Sequence, residues 1–253
     1  MNEIVDITPY SAKTARLRIY NEDVSDKCLP GQFVIIKFDR NGHRIPFSLV
    51  DYNRENRTID VIIHQADGLD SILEKIQVGE SLPDLLGPLG LPANIPENKS
   101  ILFFGDGSGV VPLVPLIHEA RRKGCDVRCV LSEHSSRTQC MLHDIEQDAE
   151  LVVTVSDDEL FANAMKILDE TKIDKVFMSG PTMIMKRLSA KTKQRNIPAD
   201  VLLNMMMIDG IGLCGICRVI VNGERKQTCI DGPIFDAHLV DFDQLFNRQR
   251  LFI

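Results

Sequence analysis

The chain has 253 residues, room for two compact domains, with an ordinary 44% of hydrophobic and 26% of charged residues. Its net charge of −7, without a basic stripe, excludes a general nucleic-acid binder, and no stretch reaches the roughly 18 apolar residues that insert into a bilayer. Seven cysteines, an odd number, behind an acidic N-terminus without a signal-peptide pattern, argue against a disulfide framework and for a cytoplasmic protein.

Residues 1–98 are expected to form short strands in a small antiparallel barrel or sandwich. β-rich runs at Ala15–Tyr20, Phe33–Phe38, Phe47–Asp51 and Thr58–His64 are punctuated by the turn signals Pro30-Gly31, Asn41-Gly42 and Gly79. A short helix is expected over Leu69–Ile76, and Leu91–Ser100 reads as a linker. Within this part, Arg44-Ile45-Pro46-Phe47-Ser48 offers in one segment a cation for a pyrophosphate, a flat ring and a hydroxyl. A phenylalanine next to a proline in a strand, as Phe47 is, is more often a core residue. Gly87-Pro88-Leu89-Gly90 closes the region and also reads as a plain turn.

From residue 99 to 200 the pattern becomes strands alternating with helices. Strands are expected at Ile101–Phe104, Val127–Leu131, Leu151–Val155 and Lys175–Met178, and helices at Val110–Lys123, Leu160–Leu168 and Thr182–Arg195. That alternation predicts a parallel sheet of the nucleotide-binding α/β type. Gly105-Asp106-Gly107-Ser108-Gly109-Val110, with Pro112 close behind, lies between a buried strand and a helix, where phosphates meet backbone amides. Ser179-Gly180-Pro181 ends a later strand on the same edge, followed by Met183. Glu133 at the end of the second strand suits a ribose hydroxyl and Arg137 a 2′-phosphate, which leaves NAD and NADP both open.

Residues 201–253 carry the strongest chemical pattern. Asp209, Cys214 and Cys217 have the x4 and x2 spacing of plant-type [2Fe–2S] loops, with Asp209 in the first cysteine's place and Cys229 as the fourth donor. Gly210, Gly212 and Gly215 allow a tight wrap, and a hairpin through Asn222-Gly223 is expected to return Cys229 to the loop. A single Cys-x2-Cys also suits zinc, although zinc sites usually pair two such knuckles. His134, Cys140 and His143 are expected on a helix surface or in the core rather than as metal ligands, and Cys28, Cys125 and Cys129 as small buried hydrophobes.

Together these segments resemble the ferredoxin–NADP reductase superfamily over the whole chain. The resemblance implies a multi-domain α+β fold: an antiparallel β-barrel FAD domain, a parallel-sheet NAD(P) domain and a small C-terminal [2Fe–2S] domain. The cysteine loop is similar to that of the electron-transfer subunits of class 1B dihydroorotate dehydrogenases. It is closer to the small (alpha) subunits of sulfide dehydrogenase and of NADH-dependent reduced ferredoxin:NADP oxidoreductase, where aspartate replaces the first cysteine as Asp209 does here. By this resemblance Arg44 would bind FAD phosphate, Pro46 and Phe47 would stand at the flavin ring, and Ser48 would reach its reactive edge. Gly87, Pro88 and Gly90 would approach the adenylate, with further FAD contacts near Gly68 and Ser71, where Asp67 and Asp70 depart from the usual pattern. Gly105, Gly107, Ser108, Gly109, Val110, Pro112, Gly180, Pro181 and Met183 would position NAD(H) or NADP(H), and Asp209, Cys214, Cys217 and Cys229 would hold the cluster. Asp106 stands where a glycine is usual, and a carboxylate there is unfavourable unless it points away. The implied activity is a relay from nicotinamide nucleotide through FAD and the cluster to a larger FAD/[4Fe–4S] subunit, and through that complex to ferredoxin. The alternatives are the dihydroorotate dehydrogenase partner subunit and a non-catalytic redox-sensing module.

Overall fold

The computed structural model describes residues 2–64, 72–132, 141–142, 145–146, 148–154 and 156–250. The first third is built on short antiparallel strands, of which the ones over Phe33–Lys37 and Thr58–His64 are buried along nearly their whole length. β1 (Glu3–Ser11), β2 (Thr14–Tyr20), β5 (Asp51–Asn53) and β6 (Thr58–His64) form an antiparallel sheet in the order β1-β2-β6-β5. β3 (Phe33–Lys37), β4 (Ile45–Ser48) and β7 (Asp84–Leu89) form a second, ordered β4-β3-β7. Two seams close these sheets into a barrel. At one, the Val50 amide donates to the Asp60 carbonyl at 2.9 Å; at the other, Glu3 bridges Ser81. Leu17, Ile19, Val34, Ile36, Ile59, Val61 and Ile63 fill the interior. The run expected as one strand over Phe47–Asp51 divides into β4 and β5, because Leu49 and Val50 form the corner between sheets. Two short helices, α1 (Glu22–Lys27) and α2 (Ile72–Lys75), flank the barrel. The start of the helix expected from Leu69 lies outside the described residues.

The middle third is an α/β layer. β8 (Ser100–Gly105), β9 (Asp126–Ser132), β10 (Glu150–Thr154), β11 (Lys175–Ser179) and β12 (Ala199–Leu202) are parallel. α3 (Val114–Arg122), α4 (Asp157–Glu170) and α5 (Thr182–Gln194) lie between them in sequence. The apolar run Ile101–Phe104 is wholly buried at the sheet centre, and Phe103 stacks on Phe177 with centroids 5.4 Å apart. The helical run expected from Val110 opens as 3-10 turns and becomes α-helical only at Val114. Pro115 has no amide hydrogen to bond the Val111 carbonyl, and its ring crowds that carbonyl, so the α-helix cannot run back through these residues, whereas proline suits the first turn of each helix. Ser156 and Glu159 cap α4: the Glu159 amide donates to the Ser156 hydroxyl at 3.3 Å, which donates back to the Glu159 carboxylate at 2.9 Å.

The last third holds the hairpin β13 (Arg218–Val221) and β14 (Glu224–Gln227), then α6 (Thr228–Asp231), β15 (Ile234–Asp236) and α7 (Phe242–Gln249). Asn222 (φ 51°) and Gly223 (φ 76°) make the two-residue turn that their sequence announces. β15 returns to the parallel sheet and pairs antiparallel with β12, giving the order β10-β9-β8-β11-β12-β15. Residue 200, the expected boundary, therefore lies inside β12. No helix among the described residues is long and apolar enough to cross a membrane.

Candidate functional site

Because β8, β9, β11 and β12 are parallel, their carboxyl ends share one edge of the sheet. Gly105 is in register with Ser179, and Ser179 with Leu202. The turns leaving β8 and β11 are in contact there. A Cβ on Gly109 would lie 2.5 Å from the Ser179 carbonyl, and one on Gly180 would lie 2.9 Å from the Asp106 Cβ. Glycine is thus required for the close approach of the two turns. The Asp106 amide donates to the Ser179 carbonyl at 3.0 Å, pinning one turn to the other. The Asp106 side chain is only 5% exposed. It accepts the hydroxyl hydrogen of Ser132, whose oxygen accepts the Gly107 amide at 2.9 Å. Val110 and Pro112 are buried beneath this turn, Ser108 is open to solvent, and beyond Gly180 Pro181 precedes α5 while Met183 stays 42% exposed. Glu133, Arg137, His134, Cys140, His143, Gly68, Ser71, Asp67 and Asp70 lie outside the described residues.

A cavity of about 40 Å³ opens beside this edge. Phe33, Pro46 and Ser48 of the barrel line it together with Pro112, Ser179, Leu202, Leu203, Asn204, Met205, Met207 and Pro233. An open cleft of about 680 Å³ shares Met207 and continues past Lys37, His43 and Arg44 to Ile208 and Asp209. Strand alternation explains the division of labour on β4. Pro46 and Ser48 face the cavity, whereas Phe47 points the other way. This corrects the implied placement of Phe47 against a flavin ring. Its side chain is 8% exposed, lies in the barrel core and meets Phe38 edge-on at 5.8 Å. Arg44 is exposed and donates to Asp84 at 2.8 and 3.2 Å. Gly87 and Pro88 lie within β7. Gly90 follows it, its carbonyl accepting from the Gln32 amide group at 2.7 Å, and the neighbouring Leu91 amide donates to the Gly232 carbonyl. This clasp holds the barrel against the segment that leads into β15. Sequence alone does not single out the cavity-lining Leu202, Leu203, Asn204, Met205, Met207 and Pro233 as site residues. Of these, Leu203-Asn204 open the run to Val219 that carries the family resemblance of the cysteine loop; the others have only their place beside that loop and after its hairpin.

The cysteine loop begins where the cleft ends. Asp209 folds back on the loop, accepting from the Ile211 amide at 2.9 Å and the Cys214 amide at 2.5 Å. Desolvation raises its pKa, but these amides and that of Gly212 outweigh it and hold the carboxyl below the usual range. Gly210, Gly212 and Gly215 all have positive φ, and a Cβ on Gly210 would overlap Ile35 of the barrel. The hairpin brings its end home. Thr228 bonds the Cys217 carbonyl through its amide at 3.0 Å and its hydroxyl at 2.8 Å, and the Cys229 amide lies 3.4 Å from the Cys217 sulfur. Cys217 and Cys229 are buried and Cys214 is exposed. Burial and the adjoining Cys217 push the Cys229 thiol up to about 12. Among the described residues no three His, Cys, Asp or Glu side chains converge on one point as a single-ion site requires. The donors are instead distributed along a loop and the end of its hairpin. Around Cys214 the surface is apolar: Leu213 is 82% exposed, Ile208 55%, Ile211 48% and Ile230 45%.

Residues 204–241 match the iron-sulfur cluster binding domain of dihydroorotate dehydrogenase B. The whole chain is 30% identical to a dihydroorotate dehydrogenase B (NAD(+)) electron transfer subunit homolog of Thermotoga maritima, covering 98% of this chain and 90% of that protein. The chain belongs to the dihydroorotate dehydrogenase B electron-transfer subunit family. It is also 33% identical to an uncharacterized protein encoded in the adh 3′ region of Clostridium beijerinckii, over 90% of this chain and 83% of that protein. Among solved structures, that of an NADH-dependent reduced ferredoxin-NADP oxidoreductase, studied for flavin-based electron bifurcation, superposes with a TM-score of 0.89. The identity there is 31%, over 99% of this chain and 93% of that one. The ferredoxin reductase of carbazole 1,9a-dioxygenase, at 17% identity and a TM-score of 0.62 over 78% of this chain and 65% of that one, shares the fold. For this family member the superfamily resemblance and the α+β architecture both hold.

Proposed function

We propose that this chain is the electron-transfer subunit of a flavin and iron–sulfur oxidoreductase. It receives electrons from NAD(H) or NADP(H) and delivers them through a [2Fe–2S] cluster to a larger subunit. One observation carries the reading: a single junction joins the barrel face at Ser48, the sheet edge at Ser179 and the segment leading to Asp209. FAD would supply the exchange between two-electron and one-electron chemistry, with the cluster as the one-electron carrier.

The residues present fit both groups. Lys37 and Arg44 gather in one cleft of a protein with a net charge of −7 and offer the cations that a pyrophosphate needs, with the His43 ring beside them, while Ser48 offers a hydroxyl at the adjoining cavity. Gly109 and Gly180 let the two turns that would cradle a nucleotide meet at close range. Asp209, Cys214, Cys217 and Cys229 would hold the cluster, with Thr228 fixing the Cys217 backbone and the glycines allowing close wrapping. The buried Cys217 and Cys229 would face the protein and Cys214 the surface, so the exposed apolar rim at Leu213 suits a docked partner through which electrons leave. No side chain of the site is needed as an acid or base.

The test is an anaerobic preparation examined by visible and low-temperature EPR spectroscopy before and after NADH or NADPH. The expected outcome is flavin bleaching with a rhombic [2Fe–2S] signal. Flavin without a cluster signal, even after dithionite, overturns the assignment of the loop; absence of flavin overturns the whole reading. For the finer assignment, Asp209 in the first ligand position and the likeness to the reduced ferredoxin-NADP oxidoreductase structure favour a transhydrogenase or sulfide dehydrogenase type of complex. The second reading, a dihydroorotate dehydrogenase partner, is supported by the name of the Thermotoga relative. Affinity capture from the source cell separates them by whether the co-purifying subunit carries iron–sulfur clusters or oxidises dihydroorotate.

A further inference from the structure

The nucleotide turn contains one residue that does not suit a phosphate site, Asp106, and the structure shows what it does instead. Its carboxylate is buried and takes the hydroxyl hydrogen of Ser132, at the end of the neighbouring strand β9. The same hydroxyl oxygen accepts the Gly107 amide at 2.9 Å, so Asp106 orients the group that holds the next residue of its own turn. Its backbone ties in the other turn through the 3.0 Å bond from its amide to Ser179. The Gly109 amide then returns to the Asp106 carbonyl at 2.9 Å and the Val110 amide to the Gly107 carbonyl at 3.3 Å. Of the five amides from Asp106 to Val110, Ser108 alone has no acceptor among the described residues. The turn is therefore closed on itself, with one amide and one hydroxyl, both of Ser108, left to face a ligand.

We infer that Asp106 and Ser132 form a latch that sets the shape of the nucleotide turn, and that Asp106 is a positioning residue for the nicotinamide nucleotide, with Ser108 the polar contact it presents. A carboxylate free to swing would repel a pyrophosphate. Held by Ser132 it points inward, and its acceptor oxygen matters rather than its charge. The inference rests on reading residues 105–112 as the nucleotide turn.

The experiment compares wild type with Asp106→Asn, Asp106→Ala and Ser132→Ala in the FAD- and cluster-loaded protein, with two readouts. One is hydrogen exchange over residues 105–110 without nucleotide; the other is KM against kcat for NADH- and NADPH-dependent dye reduction. Loss of a hydrogen bond to a buried carboxylate is expected to speed exchange at Gly107 and to raise KM by about tenfold in both alanine variants, with kcat nearly unchanged. Asp106→Asn keeps an acceptor for the Ser132 hydroxyl and is expected to stay within about twofold of wild type in both readouts, which also serves if the alanine variants fold poorly. The latch is overturned if exchange at Gly107 is unchanged in Ser132→Ala. It is equally overturned if Asp106→Asn and Asp106→Ala both lower KM, the signature of a carboxylate that merely repels phosphate. If wild-type flavin is reduced by neither nucleotide, the reading of the turn as a nucleotide site fails, and the exchange result alone decides the latch.

Discussion

Replacing Gly109 by alanine tests the geometry of the sheet edge directly. The added Cβ would lie 2.5 Å from the carbonyl carbon and oxygen of Ser179 and 2.7 Å from the Gly180 nitrogen. Ordinary carbon contacts begin near 3.5 Å, so about 1 Å of separation must be found. The obstructing atoms are backbone at the end of β11, a strand paired on both sides, and no side chain can swing aside. Overpacking of this kind costs roughly 1–3 kcal/mol. With a urea slope of about 3 kcal/mol/M for a chain of this size, a 2 kcal/mol loss lowers the midpoint by about 0.7 M. The two turns also separate, so KM for the nicotinamide nucleotide rises at least severalfold. Gly107→Ala is the stability control: its φ of +54° makes alanine strained by about 1–2 kcal/mol, but nothing lies within 4 Å of the new atom, so its loss should not exceed that strain. Urea unfolding and steady-state kinetics on the two variants decide the matter. A Gly109→Ala protein with wild-type midpoint and KM would refute the claim that the turns are in enforced contact.

Asp209→Ala should yield protein that loses its cluster on gel filtration, whereas Asp209→Cys should retain one with an altered visible and EPR spectrum; iron and sulfide analysis checks both. Leu213→Asp, at an 82% exposed position, should change stability by less than about 0.5 kcal/mol yet abolish co-purification of the larger subunit. Phe47→Ala should cost about 3–5 kcal/mol in urea unfolding, as expected for a ring lost from the barrel core, and any lowering of flavin content should follow the loss of folded protein.

What could be read in advance was what is local. Thr58–His64 alternates and β-branches along its length, Ile101–Phe104 is apolar throughout, and Asn222-Gly223 admits one kind of turn; all three form as expected. The cysteine spacing is likewise local, and the loop that carries it lies within the segment matching the iron-sulfur cluster binding domain. Three things resisted. β7 contains Gly87 and Pro88, both poor strand formers, and exists because β3 supplies a partner. The direction of Phe47 depends on which face of β4 meets the interior, a period-two question that a four-residue strand leaves undetermined. Asp106 looked unfavourable because its acceptor role depends on Ser132, 26 residues further along on another strand.

β15 carries a consequence for how the protein matures. It pairs Leu202 with Ile234 and Asp200 with Asp236, covering the outer side of β12. Until that segment leaves the ribosome, β12 presents a bare hydrogen-bonding edge flanked by the buried side chains of Val201 and Leu202, a template for strand-to-strand aggregation. The residues between β12 and β15 are those of the cysteine loop and hairpin, so the edge is sealed only by a chain that has already passed through the cluster site. Failure to fold that loop would thus leave the α/β layer adhesive, coupling quality control of the sheet to the integrity of the metal-binding segment.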